Sequence, residues 1–173
     1  SLQSGSVATL KRMNRLYTAE YYYELSKKIY TIWDNASLTT DIMVGFVGET
    51  EDEFNESLEF AQKVGFLKAH IFPYSVREGT FAATMPNRVP EEVKNRRAAK
   101  MALVCDGVSA KIMSSLSGST RSVLFERTLN GYTEGYSEDY IRVFVKENNE
   151  LCGKIISVRI IGTMQDGVLA ETI

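Results

Sequence analysis

The first two-thirds of the chain alternates between helical and strand-like patterns of apolar residues. Two stretches with apolar residues at helical spacing are each followed by a short apolar run, and the four lie at 18–33, 38–44, 50–64 and 67–72. Thr50 and Glu53 have capping-box spacing at the start of the second helix, and Gly65 follows its end. Helix–strand–helix–strand order predicts parallel strands joined by crossover helices, which is an α/β fold.

A long helix and then a change of pattern follow. Pro90 opens this helix, and Glu91 and Glu92 lie in its first turn, as the helix dipole favours. Its apolar stripe runs from Met101 to Ile112. Beyond residue 116 the helical period disappears, and short β-branched or aromatic stretches lie between turn residues, at 121–126, 140–146, 154–161 and 168–172. This pattern predicts a small antiparallel barrel and a division into domains 1–116 and 117–173.

Composition adds only broad limits to this picture. The chain is 44% hydrophobic and 24% charged, with a formal net charge of −2, which is ordinary for a soluble globular protein. No apolar run reaches membrane-spanning length, so we expect no membrane partner. Cys105 and Cys152 are far apart and lack metal-ligand spacing, which predicts neither a disulfide framework nor a metal site. Such cysteine usage is compatible with a reducing cytoplasm, where we expect the protein to be located.

The stretch 39–53 carries the most distinctive chemistry. A carboxylate, Asp41, lies within an apolar strand, and a turn with Gly45 and Gly48 follows. Burying a charge is unfavourable unless it has a partner, so we expect Asp41 to have a fixed role near the strand's carboxyl end. Ligands of α/β folds bind at that end, where glycine lets backbone and ligand approach closely. A plain turn would also explain the two glycines.

Longer phrases resemble a known family. Those of the first part are similar to the later half of radical-SAM methylthiotransferases, and they lie at 2–6, 10–15, 40–46 and 48–50. The phrase at 70–75, with 77–80 and Ala82, resembles the branch that acts on threonylcarbamoyladenosine in tRNA. The tail is similar to a TRAM domain, an RNA-binding barrel, at 123–126, 131–136, 140–143 and 153–154. The resemblance therefore covers essentially the whole chain.

This resemblance implies a fold, but the chain departs from the family in lacking its cluster cysteines. It implies the C-terminal portion of a partial (β/α) TIM-like radical-SAM barrel, followed by a small OB-like antiparallel barrel. The family holds two 4Fe–4S clusters with cysteines of an amino-terminal domain and of a Cys-x-x-x-Cys-x-x-Cys motif. Two dispersed cysteines cannot supply those thiolates. We therefore expect a carboxy-terminal fragment that is inactive alone and holds neither a catalytic residue nor a metal ligand.

The resemblance also implies a site for S-adenosylmethionine (SAM). Its residues would be Gln3, Arg15, Asp41, Gly45, Gly48 and Arg77. Arg15, twelve residues after Gln3, would bind the methionine carboxylate of SAM bidentately; the alternative is a helix-end cation favoured by the dipole. Asp41 would accept hydrogen bonds from the ribose hydroxyls; the alternative is a buried cap or an ion pair with a neighbouring helix.

The remaining residues near this site have mixed interpretations. Gly45 and Gly48 would let the backbone lie along the adenine. Arg77 would contact SAM or substrate, and a loop salt bridge is the alternative. We expect Glu49 to be a surface residue of the turn, and His70, the only histidine, to be a satisfied core residue of an apolar strand.

In the tail, the resemblance implies an RNA-binding face formed by Arg121, Tyr140, Arg142, Lys154 and Arg159. Alternation places Ile141, Val143 and Val145 on one side of a strand and Tyr140, Arg142 and Phe144 on the other. An aromatic and arginine face suits base stacking and phosphate contact. Residues 117–173 nevertheless hold six Lys and Arg against eight Asp and Glu, so a solvated strand face is the alternative for each residue.

The resemblance implies that the parent protein is a tRNA methylthiotransferase. It would add a methylthio group to C2 of N6-threonylcarbamoyladenosine beside the anticodon, with SAM and two 4Fe–4S clusters as cofactors and tRNA as partner. The sulfur donor stays open. Alternatives are a methylthiotransferase acting on isopentenyladenosine in tRNA or on a ribosomal protein aspartate, and an RNA-binding module without catalysis.

Overall fold

The structure is a computed structural model that describes residues 1–33 and 35–173. The chain forms two compact units, Ser1–Ser109 and Ala110–Ile173, and the boundary between them lies inside the longest helix. The predicted domain boundary at residue 116 stays a prediction. The first unit holds five helices and two strands: α1 Val7–Arg12, α2 Ala19–Ile32, β1 Thr39–Val44, α3 Glu51–Val64, β2 Lys68–Pro73, α4 Phe81–Thr84 and α5 Glu91–Ser115. The last turns of α5 belong to the second unit.

The predicted parallel pair is confirmed. β1 and β2 pair in parallel, with Asp41 opposite His70 and Met43 opposite Phe72, and Gln3 forms a parallel bridge to Ile42. One face of this small sheet is buried against α1, α2, α3 and α5, whose core residues include Leu10, Ala19, Phe54, Leu58, Met101 and Cys105. The opposite face of β1 and β2 is half-buried or exposed.

Local signals explain where the predicted helices begin and end. The Thr18 hydroxyl accepts a hydrogen bond from the Tyr21 N–H at the start of α2. Thr50 and Glu53 form the predicted capping box of α3, and Gly65 ends that helix with φ 78°, in the left-handed region that glycine favours. The structure adds two short helices, α1 and α4, that were not predicted from the sequence.

The second unit is a closed five-stranded barrel with strand order β3-β4-β5-β7-β6. Its strands are β3 Thr120–Leu129, β4 Tyr132–Ser137, β5 Arg142–Lys146, β6 Ile155–Met164 and β7 Gly167–Thr172. All neighbouring pairs are antiparallel except β5 and β7, which are parallel. The barrel is thus not purely antiparallel as predicted, because β7 closes it beside β5.

Strand β4 was missed because its sequence is unusual for a strand. It contains Glu134 and Gly135, both of types that strands disfavour. The glycine is required, since a Cβ atom at position 135 would lie 2.0 Å from the carbonyl oxygen of Leu124 on β3. The close approach of two backbones therefore requires glycine at position 135, although strands disfavour that residue type.

Candidate functional site

The carboxyl ends of β1 and β2 bring two loops to one edge of the sheet. The Tyr74 N–H donates to the Val44 carbonyl at 2.9 Å, and the Phe46 and Tyr74 rings meet edge to face at 5.0 Å between centroids. The turn with Gly45 and Gly48 and the segment leading to Arg77 consequently start side by side. Arg77 itself is exposed.

Asp41 and Gln3 lie together, before this edge. The Gln3 N–H donates to the Asp41 carbonyl at 2.9 Å, and the Gln3 carbonyl accepts from the Met43 N–H at 2.9 Å. Asp41 is half-buried on the open face of the sheet, not inside the core as predicted. Its carboxylate accepts a hydrogen bond from the Ser1 hydroxyl at 2.5 Å rather than from a helix. The carboxylate is thus positioned where a ligand on the open face could meet it.

The two glycines of the turn are required by its conformation. Gly45 and Gly48 have φ of 69° and 76°, which side chains disfavour. A Cβ atom at Gly45 would lie 2.2 Å from Cγ of Lys94, and one at Gly48 would lie 3.5 Å from Nε of Arg12. Gly45 therefore serves the turn and its packing, whereas Gly48 serves the turn through its φ alone, because 3.5 Å is an ordinary contact. The contact of either glycine with adenine stays a prediction.

Glu49 is buried, so the prediction that it is a surface residue was wrong. Its side chain is 1% exposed, and the carboxylate pairs with Arg97 of α5 at 2.8 Å while accepting the Gly45 N–H at 2.7 Å. Arg97 also donates to the Glu49 carbonyl at 3.0 Å and pairs with Glu51 at 3.0 Å. Burial raises the pKa of the Glu49 carboxyl, against the opposing effects of the Gly45 and Arg97 hydrogen bonds.

Lys94 joins the second loop to the same helix. It is 5% exposed, and its Nζ donates to the Tyr74 carbonyl at 2.8 Å and pairs with Glu91. Its stem also fills the space beside Gly45. The sequence pattern gave no sign of these two roles, because the loop residues that Lys94 and Arg97 bind, Tyr74 and Glu49, lie at least 20 positions away.

Arg12, rather than Arg15, reaches the glycine turn. Its Nε donates to the Val47 carbonyl at 3.2 Å, and its guanidinium forms a two-point ion pair with Glu53, with one contact of 2.9 Å. Hydrogen bonds from Arg12 hold the pKa of the Glu53 carboxyl below its usual range. Arg15 lies beyond the end of α1 and is exposed, so its contact with SAM stays a prediction.

His70 is exposed, which contradicts the predicted core position. Residues of β2 alternate in burial, and His70 lies on the open side with Phe72, whereas Ala69 and Ile71 pack against the core. The apolar run at 67–72 concealed this alternation. His70 is therefore available to a ligand on the face that also carries Asp41.

Arg121 is buried in the barrel and cannot serve as the predicted surface cation. Its side chain is 6% exposed, and Nε pairs with Asp139 at 3.1 Å. An arginine that faces the interior of a barrel is unusual. Asp139, whose carboxylate neutralises it, follows β4 in the sequence. Its predicted role in RNA binding is therefore corrected to a structural one.

The predicted face of Tyr140, Arg142 and Phe144 is only partly open. Ile141, Val143 and Val145 are buried as predicted, but Phe144 is also buried, at 3% exposure. Arg142 stacks over the Phe144 ring at 4.8 Å and pairs with Glu134 at 2.5 Å and Asp166 at 2.8 Å. Of the three, Tyr140 alone is strongly exposed; it lies in the turn before β5, with φ 61°.

Lys154 and Arg159 are exposed on the barrel, beside an apolar row that the sequence analysis missed. Leu124 on β3 pairs with Tyr136 on β4 and with Ile155 on β6, so three partly exposed apolar side chains lie across adjacent strands. Arg159 lies further along β6, opposite Thr120. Cations next to stackable and apolar side chains form a surface that could contact single-stranded RNA.

Within residues 1–33 and 35–173, no group of three or more His, Cys, Asp or Glu residues could hold a metal ion. None of the helices in these ranges is both long and apolar enough to cross a membrane. Burial raises the pKa of the Cys105 thiol to about 11, which disfavours the thiolate that a cluster needs.

The chain matches no protein-family model. It is 42% identical, over 92% of its length, to the tRNA-2-methylthio-N(6)-dimethylallyladenosine synthase of Lachnoclostridium phytofermentans, and 42% identical, over 98%, to that of Oceanobacillus iheyensis. It is 35% identical, over 92%, to the threonylcarbamoyladenosine tRNA methylthiotransferase MtaB of Bacillus subtilis.

The chain spans 34–37% of the length of these relatives. Their names share the methylthio modification of adenosine in tRNA and differ in the group attached to the adenine. Because relatives of both kinds match nearly the whole chain at 35–42% identity, the chain belongs to the tRNA methylthiotransferase family.

Proposed function

We propose that this chain is the carboxy-terminal part of a tRNA methylthiotransferase that modifies C2 of N6-threonylcarbamoyladenosine beside the anticodon. Residues 1–116 would form the end of a radical-SAM barrel, and residues 117–173 would form a TRAM domain that holds tRNA. The observation that carries the methylthiotransferase part of this proposal is the match of nearly the whole chain to about a third of relatives of both kinds. The resemblance of the phrase at 70–75 supports the threonylcarbamoyl substrate. The parallel pair and the closed barrel support the two assignments.

SAM fits the open face of the sheet in part. Asp41 offers a half-buried carboxylate there, Gln3 is bonded beside it, and the Gly45 turn lies at the edge that follows. When bound, SAM would supply the deoxyadenosyl radical and the methyl group. In this proposal Asp41 holds the ribose hydroxyls, with Gln3, Gly45 and Gly48 along the rest of the nucleoside.

The cations of the predicted site lie on loops. Arg15 and Arg77 are both exposed, and each would complete the site by binding the methionine carboxylate or the substrate. Glu49, Arg97 and Lys94 would keep the edge of the sheet in place while ligands bind. These three residues position the loops and do not touch the reacting atoms.

The residues present do not fit an iron–sulfur cluster. Cys105 is buried and Cys152 half-buried, 47 positions apart, and thiolates are the ligands that such clusters need. The clusters of the proposed enzyme would therefore take their ligands from outside this chain.

The barrel would hold the tRNA through its exposed side chains. Lys154 and Arg159 would contact phosphates, and Tyr140 and Tyr136 would offer aromatic surface to unstacked bases. Arg142 would contribute less than the sequence predicted, because Glu134 and Asp166 already neutralise it.

SAM binding by the longer protein tests the placement of the cofactor. We expect Asp41→Ala to lose a charge-assisted hydrogen bond of about 1.5–3 kcal/mol, which is a ten- to hundredfold loss of SAM affinity. Asp106→Ala, an exposed acid on α5, is the matched control and should bind SAM normally. Equal calorimetric affinities for Asp41→Ala and the unchanged protein would place the SAM site elsewhere.

A second candidate substrate is isopentenyladenosine in tRNA. The observation that favours it is the higher identity, 42% against 35%, to relatives named as dimethylallyladenosine synthases. The phrase at 70–75 and the exposed His70 favour threonylcarbamoyladenosine instead. Incubating the reconstituted longer protein with tRNA carrying each nucleoside, and measuring 2-methylthio product by mass spectrometry, decides between the two.

A further inference from the structure

His70 has not yet been given a contact in the proposed site, and it lies on the face of the sheet where a ligand would bind. It lies in the middle of β2, and its Cα partner across the parallel pair is Asp41. Parallel-paired residues share a face, and neighbouring strands are about 4.8 Å apart, so the two side chains are neighbours. His70 is exposed and Asp41 is half-buried.

The open face has three rows of different character. Thr39 and Lys68 form the first row, Asp41 and His70 form a polar row in the middle, and Met43 and Phe72, the next pair toward the carboxyl edge, form an apolar row. Phe72 is 36% exposed. The other face of the same strands is closed by the core, so these three rows are the surface that β1 and β2 offer to a ligand.

The two candidate nucleosides differ in what they would offer to the polar row. A dimethylallyl group is a hydrocarbon and leaves any polar partner without a hydrogen bond. A threonylcarbamoyl group carries a carboxylate, a hydroxyl and a urea. An imidazole N–H can donate to the carboxylate or to the urea carbonyl, whereas the carboxylate of Asp41 can only accept. His70 and Lys68 are thus the donors that β2 offers on this face, and of the two His70 lies directly opposite Asp41.

We propose that His70 is a specificity-determining residue that binds the polar N6 substituent of threonylcarbamoyladenosine and disfavours the hydrocarbon substituent. This inference rests on the proposed function. Sites that hydrogen-bond a polar group discriminate against analogues that lack it when the covered donor is left unpaired, and His70, which is exposed in the free chain, would be covered by the bound nucleoside.

Binding of anticodon stem-loops to the longer protein tests the inference without the reaction. Three stem-loops of one sequence are compared, with threonylcarbamoyladenosine, dimethylallyladenosine or unmodified adenosine. We expect the unchanged protein to bind the first most tightly. His70→Phe should remove that preference, with a loss of about ten- to a hundredfold in affinity for the threonylcarbamoyl stem-loop.

Two variants and one melting experiment complete the design. His70→Gln keeps an N–H donor and should retain most of the preference, whereas Lys28→Gln, an exposed change on α2, should retain all of it. Thermal unfolding of each variant checks that the fold is intact. Steady-state kinetics with the two modified tRNAs should show the His70→Phe defect chiefly in KM.

The possible failures are distinct. A His70→Phe variant that still prefers the threonylcarbamoyl stem-loop would overturn the role of His70 and leave the proposed function standing. An unchanged protein that prefers the dimethylallyl stem-loop, or that methylthiolates neither nucleoside, would overturn the proposed function itself, and this inference with it.

Discussion

At the scale of single residues, the loop after β1 is held by buried charges that compensate one another. Arg97 pairs with Glu49, and both side chains are at most 5% exposed. Taking two charges out of water is unfavourable, so such a pair persists only where geometry and further hydrogen bonds are good. Here the Gly45 N–H and the Glu49 carbonyl provide those bonds. The pair thus links the glycine turn to α5.

Removing the buried cation should destabilise the first unit strongly. Arg97→Met would leave Glu49 buried without its partner, which should lower the free energy of unfolding by about 3–5 kcal/mol. Arg96→Met is the matched control, because Arg96 is 66% exposed and lies 3.8 Å from Glu51. Urea unfolding of this chain compares them. A loss in Arg97→Met no larger than in Arg96→Met would contradict the account.

Three of the residues that the sequence analysis misplaced share one cause. Glu49, Arg121 and Phe144 look like surface residues in their own segments, and each is buried by partners that lie elsewhere in the chain. The local sequence patterns predicted the spacing of apolar residues along each element, but they carried no information on partners from elsewhere in the chain. Asp41 and Gln3 are brought together as the resemblance implied, because the pairing of adjacent strands follows from the fold class.

At the scale of elements, strong local signals and weak ones gave different outcomes. The helices α2, α3 and α5 and the strands β1 and β2 were predicted within one or two residues, since caps and apolar runs mark their ends. Helix α1 has six residues and α4 has four, too few for a helical period to be visible. Strand β4 was concealed by the glutamate and glycine that the barrel requires at that place.

The start of α3 should carry a measurable pH dependence. Glu53 completes the capping box and pairs with Arg12, so Glu53→Gln should lower the free energy of unfolding by about 1–2 kcal/mol at pH 7. The pKa of the Glu53 carboxyl is depressed in the folded chain. Its contribution is therefore complete above the unfolded pKa, which is about 4.3, and is lost as the pH falls through the folded value.

Chemical unfolding from pH 7 to pH 3 measures this dependence. The difference between the unchanged chain and Glu53→Gln should shrink as the solution becomes more acidic. Glu56→Gln, an exposed acid one turn further along α3, should show little difference at any pH. A Glu53→Gln effect that stays constant down to pH 3 would mean that the ion pair with Arg12 contributes nothing.

At the scale of the whole molecule, charge alone does not identify an RNA-binding protein. The net charge is −2, and residues 117–173 hold more acids than bases. Two of those acids are neutralised within the barrel. Asp139 pairs with Arg121, and Glu134 pairs with Arg127 and Arg142. Lys154 and Arg159 remain exposed beside the row of Leu124, Tyr136 and Ile155. Local arrangement therefore supports RNA binding better than composition does.

Arg159→Glu in the longer protein tests this surface. We expect weaker tRNA binding and a shallower salt dependence, because each phosphate contact contributes a slope of about one in log–log terms. Lys28→Glu, on an exposed position of α2, is the charge-matched control and should leave both quantities unchanged. Filter binding at several salt concentrations gives the two slopes. Identical affinity and slope for Arg159→Glu and the unchanged protein would remove Arg159 from the interface.

The most direct test of the proposed function is the nucleoside content of tRNA from cells that lack the gene. Digested tRNA is analysed by mass spectrometry before deletion, after deletion and after the longer protein is restored. The account predicts that 2-methylthio-N6-threonylcarbamoyladenosine disappears on deletion, that N6-threonylcarbamoyladenosine accumulates, and that restoration reverses both changes. Persistence of the methylthio-threonylcarbamoyl nucleoside, with loss of the methylthio-isopentenyl nucleoside instead, would contradict it.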